Sequence, residues 1–292
     1  MKRPALPLLA FAACGMIWGS TFLVIRVGND ALPALWACSL RLASAAVLLS
    51  AILVATRQKW PQGAALKAAA FYGFWEFGVS LPLLYWGERV VPSGLAAVLY
   101  AICPIAAMFE ARALGMEKLD PRRLGAAALA FAGVVVIFWG ELADGGSPAG
   151  LACIFLAAVA APLAGLLLQR APEQNAVGAN AVGVLAGLPF ALLASSALGE
   201  PHPLPATSRE IFPVAYLAVA GSVGAFVIFA WLLRHWKATS AAFLGVVVPV
   251  IAVVLGAVVR HEPFTAGSLA GGVIVIVGVI LALRSEVASP SE

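Results

Sequence analysis

Ten apolar runs follow one another along this chain with only short breaks, near 7–28, 32–55, 68–88, 93–114, 122–140, 148–169, 177–198, 211–235, 239–259 and 265–284. A hydrocarbon layer of roughly 30 Å needs about 20 helical residues at ~1.5 Å each, so every run is long enough to cross a membrane. Composition closes off the alternative of a soluble domain. With 62% hydrophobic residues, 11% charged and a mean hydropathy of +0.99, 292 residues could not hide their apolar surface in one core. The expected fold class is therefore an all-α integral membrane protein with ten transmembrane helices. Turn residues sit where the breaks need them: Asn29, Asp30 and Pro33; Pro61 and Gly63; Asp120 and Pro121; Gly145 to Pro148; Pro172 to Asn175; and the Pro-rich stretch from Glu200 to Pro213. The apolar run after Met1, Lys2 and Arg3 exceeds a signal-peptide core and lacks a cleavage site, so it reads as the first span, retained in the protein.

The second half of the chain echoes the first. Trp86 recurs as Trp231, 145 positions later, and the same offset relates Arg89 to Arg234, Pro104 to Pro249, Glu117 to Glu262, Leu124 to Leu269 and Gly133 to Gly278. Trp, Arg, Pro and Glu carry the weight, because Ala, Leu and Val coincide by chance in so apolar a chain. The duplication divides the protein into residues 1–144 and 145–292, with five helices each.

Lys and Arg set the orientation. One set of alternate loops holds Lys2, Arg3, Arg57, Lys59, Lys67, Arg112, Lys118, Arg122, Arg123, Arg170, Arg234, Lys237 and Arg284; the other holds Arg26, Arg89, Arg209 and Arg260. The richer side is expected to be cytoplasmic, with both termini there. An odd number of helices per half then makes the two halves enter the membrane in opposite senses, with Glu117 inside and Glu262 outside. Inverted repeats around a central cavity are the architecture of secondary transporters. The net charge of +4 is scattered over short loops, which is a topology signal and not a nucleic-acid surface. The expected partners are membrane lipids and a small-molecule substrate, with no nucleic acid.

Particular residues resemble a known family. The run from Gly15 through Trp18 and Gly19 to Phe22, Arg41 in the second span, and the twice-used spacing from Pro to Glu to Gly at Pro104, Glu117 and Gly133 are similar to the EamA-type branch of the drug/metabolite transporter superfamily. The resemblance implies a ten-helix carrier with a central cavity in a bacterial inner membrane, commonly an exporter of amino acids or other small metabolites. No residues matching Trp18 and Arg41 occur at the corresponding places of the second half.

Candidate working residues are those that polarity or depth makes hard to explain by packing alone. Trp18 and Trp75 lie in the middle of their spans, away from the interfacial belt that accounts for most tryptophans in membrane proteins. Tyr100 adds a polar handle, and Phe22 and Phe243 are weaker aromatic candidates. Tyr72, Glu76 and Ser80 recur every four residues and should form one polar stripe on the third helix. Charges at membrane depth tend to face a pore or a partner. Glu76 is accordingly expected to face cavity water, and it is the candidate carrier of protons as a coupling ion because desolvation disfavours its ionised form. Arg41 is expected to form a structural salt bridge. Pro104 and Pro249, mid-span, should kink their helices and are candidate hinges.

Catalytic signals are missing. His202, His235 and His261 fall in loops, and no nucleophile elbow or phosphate-binding loop occurs. Cys14, Cys38, Cys103 and Cys153 lie inside apolar runs without ligand spacing. No enzyme activity, cofactor or metal is expected. The reading is a secondary transporter exporting amino acids or similar metabolites, aromatic and hydrophobic amino acids first. A nucleotide-sugar or drug-type carrier is the alternative, but the former should carry several basic residues within its spans, where only Arg41 qualifies. A membrane enzyme should show an acidic or His cluster.

Overall fold

The computed structural model describes residues 5–140, 146–260 and 265–288. The expected boundary between the halves and Glu262 with its loop lie outside the described residues. Among the described residues every regular element is helical. The first half contains α1 (Ala5–Asn29), α2 (Ala34–Ala55), α3 (Gly63–Gly73), a π-helix π1 (Phe74–Ser80), α4 (Leu81–Glu88), α5 (Ser93–Tyr100), α6 (Cys103–Ala113) and α7 (Pro121–Ile137). The second contains α8 (Pro148–Arg170), α9 (Ala176–Ala197), α10 (Ser208–Tyr216), π2 (Leu217–Ala225), α11 (Phe226–Leu232), α12 (Ala238–Ala241), α13 (Leu244–Arg260) and α14 (Ala266–Ala288).

Eight helical stretches among the described residues are long and apolar enough to cross a membrane. The two other expected spans are helical as well. Residues 63–88 run continuously through α3, π1 and α4, interrupted in polarity by Lys67 and Glu76, and α7 has 17 residues. Leu269, Val273, Ile276 and Ile280 on α14 are exposed, as a lipid-facing surface requires.

Helix ends follow local chemistry. Asp120 caps α7 by accepting the Arg122 N–H at 2.9 Å, with Pro121 at the first position. Asn175 accepts the Gly178 N–H at the start of α9. Glu210 accepts the backbone N–H groups of Thr207 (2.9 Å) and Ala206 (2.7 Å) at the start of α10.

The π-helices are the main departure from the simple ten-helix picture. Residues 74–80 moved by the 145-residue offset become 219–225, inside π2, so both halves widen at the same place. Glycines make the close packing there possible: a Cβ at Gly187 of α9 would lie 2.5 Å from Phe77 Cβ and 2.7 Å from the Gly78 nitrogen.

At the last helix of each half, α7 and α14 pack against each other in a reciprocal pattern. A Cβ at Gly133 would meet the Gly271 oxygen and the Val275 nitrogen at 2.8 Å, and one at Gly278 would meet the Ala126 oxygen and the Ala130 nitrogen at 2.8 Å. Under the offset, Gly133 corresponds to Gly278, Ala126 to Gly271 and Ala130 to Val275. Each contact thus has its mirror in the other half, as across a local two-fold axis. Residue numbers rise along α7 while those they touch fall along α14, so these equivalent helices run antiparallel.

Candidate functional site

A cavity lies where the halves meet, with about 830 Å³ of empty space when the open solvent at its mouth is counted. From the first half α1 contributes Trp18, Thr21, Phe22 and Ile25, α2 contributes Arg41, π1 Glu76 and α5 Tyr100; from the second, α8 contributes Ala161, Pro162 and Gly165, α11 Phe226 and Phe229, and α12 with the residue after it Ala238, Ala241 and Ala242. Trp18 stands edge-on or tilted to Phe226 and Phe229, with ring centroids 5.1 and 5.2 Å away, and Phe22 is edge-on to Tyr100 at 5.9 Å.

An acidic and a basic side chain share this aromatic chamber. Arg41 donates from Nε to Ser222 Oγ at 2.8 Å and from Nη1 to the Tyr85 hydroxyl at 3.3 Å, and its guanidinium lies 5.9 Å from the Tyr85 ring centre. Its Nη2 has no protein acceptor among the described residues. A Cβ at Gly221 would lie 3.0 Å from that nitrogen, so the glycine of π2 makes room for the guanidinium. Among the described residues Arg41 forms no salt bridge, contrary to the expectation. Glu76 is also without a hydrogen bond or ion pair among the described residues, and Arg41 is the charge that acts on it electrostatically. One unsatisfied carboxylate and one partly satisfied guanidinium therefore face the same space.

The expected stripe on the third helix does not form. A π-helix closes its hydrogen bonds from i to i+5 and so takes more than four residues per turn, which fans the three side chains apart. Tyr72 is fully buried and donates to Asn180 Oδ1 at 3.0 Å in the interface with α9. Glu76 enters the cavity. Ser80 donates to the Ala157 oxygen at 3.0 Å and lies 3.4 Å from the Tyr100 hydroxyl, behind the lining. Trp75 turns away from the cavity, against Phe74, which in turn packs on Phe190 of α9. Phe243 is fully buried between α12 and α13 and does not line the space. Of the residues singled out by sequence, Trp18, Phe22, Glu76 and Tyr100 come together; Tyr72, Trp75, Ser80 and Phe243 do not join them.

Prolines shape the walls. Pro104 is the second residue of α6, just after a break at Ala101 and Ile102, whereas Pro249 lies inside α13, after a break at Ala242 and Phe243. Pro162, absent from the sequence-based candidates, lies inside α8. It removes the partner of the Ala158 carbonyl, which accepts the Cys103 thiol at 3.2 Å instead. Phe226, Phe229 and Gly165 were also missed: they belong to second-half helices that match the first half weakly, and only their apolar context was visible.

Beneath the cavity a second polar cluster joins the halves. Arg123 of α7 donates to Glu117 Oε2 at 3.0 Å, to Thr239 Oγ1 at 2.9 Å and to Ser240 Oγ at 3.0 Å, while Thr239 donates to Glu117 at 2.9 Å. Lys237 approaches Glu117 at 4.0 Å. Because Ala238, Ala241 and Ala242 face the cavity while Thr239 and Ser240 face Arg123, this cluster fastens the floor.

The model of the EamA-like transporter family matches the chain twice, over residues 5–139 and 148–284. The chain belongs to the EamA-like transporter family. Among relatives, "Uncharacterized inner membrane transporter YedA" of Escherichia coli (strain K12) is 30% identical over 284 residues, covering 96% of this chain and 92% of the relative. The "Probable amino-acid metabolite efflux pump" of Salmonella typhimurium is 27% identical over 280 residues, 91% of each chain. The "Probable terminal-alkyne amino-acid exporter" of Streptantibioticus cattleyicolor is 28% identical over 278 residues, 91% of this chain and 90% of the relative. A solved crystal structure superposes with a TM-score of 0.77 at 18% identity, over 98% of this chain and 100% of its own, which shows the fold. This EamA-like protein is thus a multi-pass membrane transporter.

Proposed function

We propose that this EamA-like protein exports α-amino acids with aromatic or bulky apolar side chains from the cytoplasm across the inner membrane. The observation that carries the reading is the pairing of Arg41 and Glu76 in one aromatic chamber, each with unused hydrogen-bonding capacity. A zwitterion supplies what each lacks: its carboxylate meets the guanidinium and its ammonium meets the carboxylate, both charge-assisted bonds. Trp18, Phe22, Phe226 and Phe229 then receive an apolar side chain. The names of two relatives, an amino-acid metabolite efflux pump and an amino-acid exporter, support both the substrate class and the direction. Arg41 is the one basic side chain lining the cavity among the described residues, which favours an amino acid over a nucleotide sugar.

In this reading, ten spans form two inverted five-helix halves that rock around the cavity, with both termini cytoplasmic. The antiparallel, reciprocal packing of α7 and α14 supports the inversion. An ammonium and a proton compete for Glu76, which makes proton exchange for substrate the natural coupling. Liposome counterflow with labelled phenylalanine, tryptophan, alanine, uridine and a cationic drug, with and without a pH gradient, tests the substrate class. The expected result is exchange of the aromatic amino acids, accelerated by a pH gradient; exchange of uridine or the drug alone would sink the reading. Single cysteines at Lys118 and Thr265 should react with an impermeant reagent from opposite sides of the membrane, and reaction from one side would sink the inverted arrangement.

A further inference from the structure

Small residues of α8 and of the α12 region form much of the cavity wall that adjoins the aromatic cluster of Trp18, Phe226 and Phe229. Gly165 is unlike the packing glycines of this fold. At Gly133, Gly187 and Gly271 a Cβ would lie within 3 Å of a neighbour's backbone, so close helix approach demands glycine there. At Gly165 the nearest atoms to a Cβ would be Phe229 Cζ at 3.6 Å, Phe229 Cε1 at 3.8 Å and Leu233 Cδ1 at 3.9 Å, all ordinary van der Waals separations. Neither crowding nor a positive φ calls for glycine. Alanine would be the better helix former at this mid-helix position. What the missing side chain leaves open is cavity space beside the Phe229 ring, three residues beyond Pro162 and on the same face of α8.

We infer that Gly165 sets the size of the substrate side chain, by leaving a slot beside Phe229 in which the ring of an aromatic amino acid lies. The inference rests on the proposed amino-acid substrate and adds the residue that selects among amino acids. A methyl group placed in the slot competes with the far end of a large ring but not with a short side chain seated nearer Arg41 and Glu76.

The test is counterflow by the full-length protein in liposomes, comparing labelled tryptophan with labelled alanine for wild type, Gly165→Ala and Gly165→Val. One methylene in an apolar pocket is worth about 10-fold to 200-fold in discrimination, so Gly165→Ala should lower the tryptophan-to-alanine rate ratio about 10-fold. Gly165→Val should lower the tryptophan-to-alanine rate ratio further than Gly165→Ala does. Thermal unfolding of Gly165→Ala should match or exceed wild type, which separates a blocked slot from a damaged helix. Equal loss of both substrates, or an unchanged ratio in an active wild-type background, overturns the size filter while leaving the substrate class standing. A wild type that exchanges uridine but no amino acid overturns both.

Discussion

The two ends of the duplication behave differently. At α7 and α14 the halves are interchangeable: Gly133 faces Gly271 and Val275, the counterparts of the Ala126 and Ala130 that Gly278 faces. Around the cavity the same offset pairs unlike residues. Glu76 corresponds to Gly221, Arg41 to Ala186, Trp18 to Leu163 and Tyr100 to Gly245. The differences are complementary: Gly221 is small where Arg41 needs room, and a Cβ at Gly245 would lie 3.1 Å from the Tyr100 oxygen, so one copy yields space that the other fills. The floor is one-sided as well, since Arg123, Thr239 and Ser240 correspond to Ser268, Gly94 and Leu95. A duplicated scaffold supplies related helices on both sides of the cavity, and divergence of a few side chains gives that cavity one polar pole.

The largest expected effect falls on that pole. Arg41→Ala should reduce amino-acid counterflow by at least about 30-fold, because truncating one partner of a buried charged contact costs about 2–5 kcal/mol. Ala186→Ser, at the equivalent place, should be nearly silent. Proteoliposome exchange rates at matched protein density check both, and a comparable loss in the two variants would mean that the halves contribute equally to the site.

Next in size is the floor. Arg123→Ala strips hydrogen bonds from Glu117, Thr239 and Ser240 together, and a broken buried network of this kind is worth about 2–4 kcal/mol. It should lower the melting temperature in detergent and raise the reactivity of a cysteine placed at Ala241 towards a reagent added from the Lys118 side. Ser268→Ala, whose hydroxyl meets only the Thr265 hydroxyl among the described residues, should do neither. A third pair, Gly133→Ala and Gly278→Ala, should instead behave alike, each losing about 1–3 kcal/mol from overpacking at backbone contacts. Unequal melting shifts in that pair would break the local two-fold symmetry.

Much of the scaffold was legible in the sequence because it rests on length, apolarity and the recurring Trp, Arg, Pro and Glu. Trp18, Phe22, Glu76 and Tyr100 were found because a polar or bulky aromatic residue at mid-span is conspicuous. Trp75 is conspicuous by depth, and Tyr72 and Ser80 by an α-helical period counted through Phe74–Ser80, but a π-helix has no signature in a run so rich in aromatic residues and glycine. Phe243 is an aromatic candidate by depth alone, which does not tell a lining residue from one buried in the break between α12 and α13. Arg41 was read as a salt bridge since burial of a guanidinium usually demands an acid. Its actual support, the Ser222 and Tyr85 hydroxyls, comes from helices whose approach no local pattern announces.

The smallest expected effect concerns Pro104 and Pro249, which are equivalent in sequence but not in place. Pro104 follows directly on the break at Ala101 and Ile102, and an alanine there would regain an N–H able to bond to the Tyr100 carbonyl four residues back. That bond would splice α5 to α6 and pull on the carbonyl lying beside Gly245, where the two halves cross. Pro249 is already the sixth residue of α13. The break before it is held by its own short bonds, from the Gly245 N–H to the Ala242 oxygen at 2.9 Å and from the Val246 N–H to the Phe243 oxygen at 3.1 Å. Alanine at 249 would add a bond to the Gly245 carbonyl within an existing helix and leave that break untouched. Pro104→Ala is therefore expected to slow counterflow several-fold with no loss of melting temperature, because a straightened helix favours one access state, and Pro249→Ala to slow it less. Equal slowing would place the hinge at the prolines themselves. Unchanged rates in both would make them fixed bends, and the motion would then have to come from the π-helical segments, the other irregularity that the two halves share.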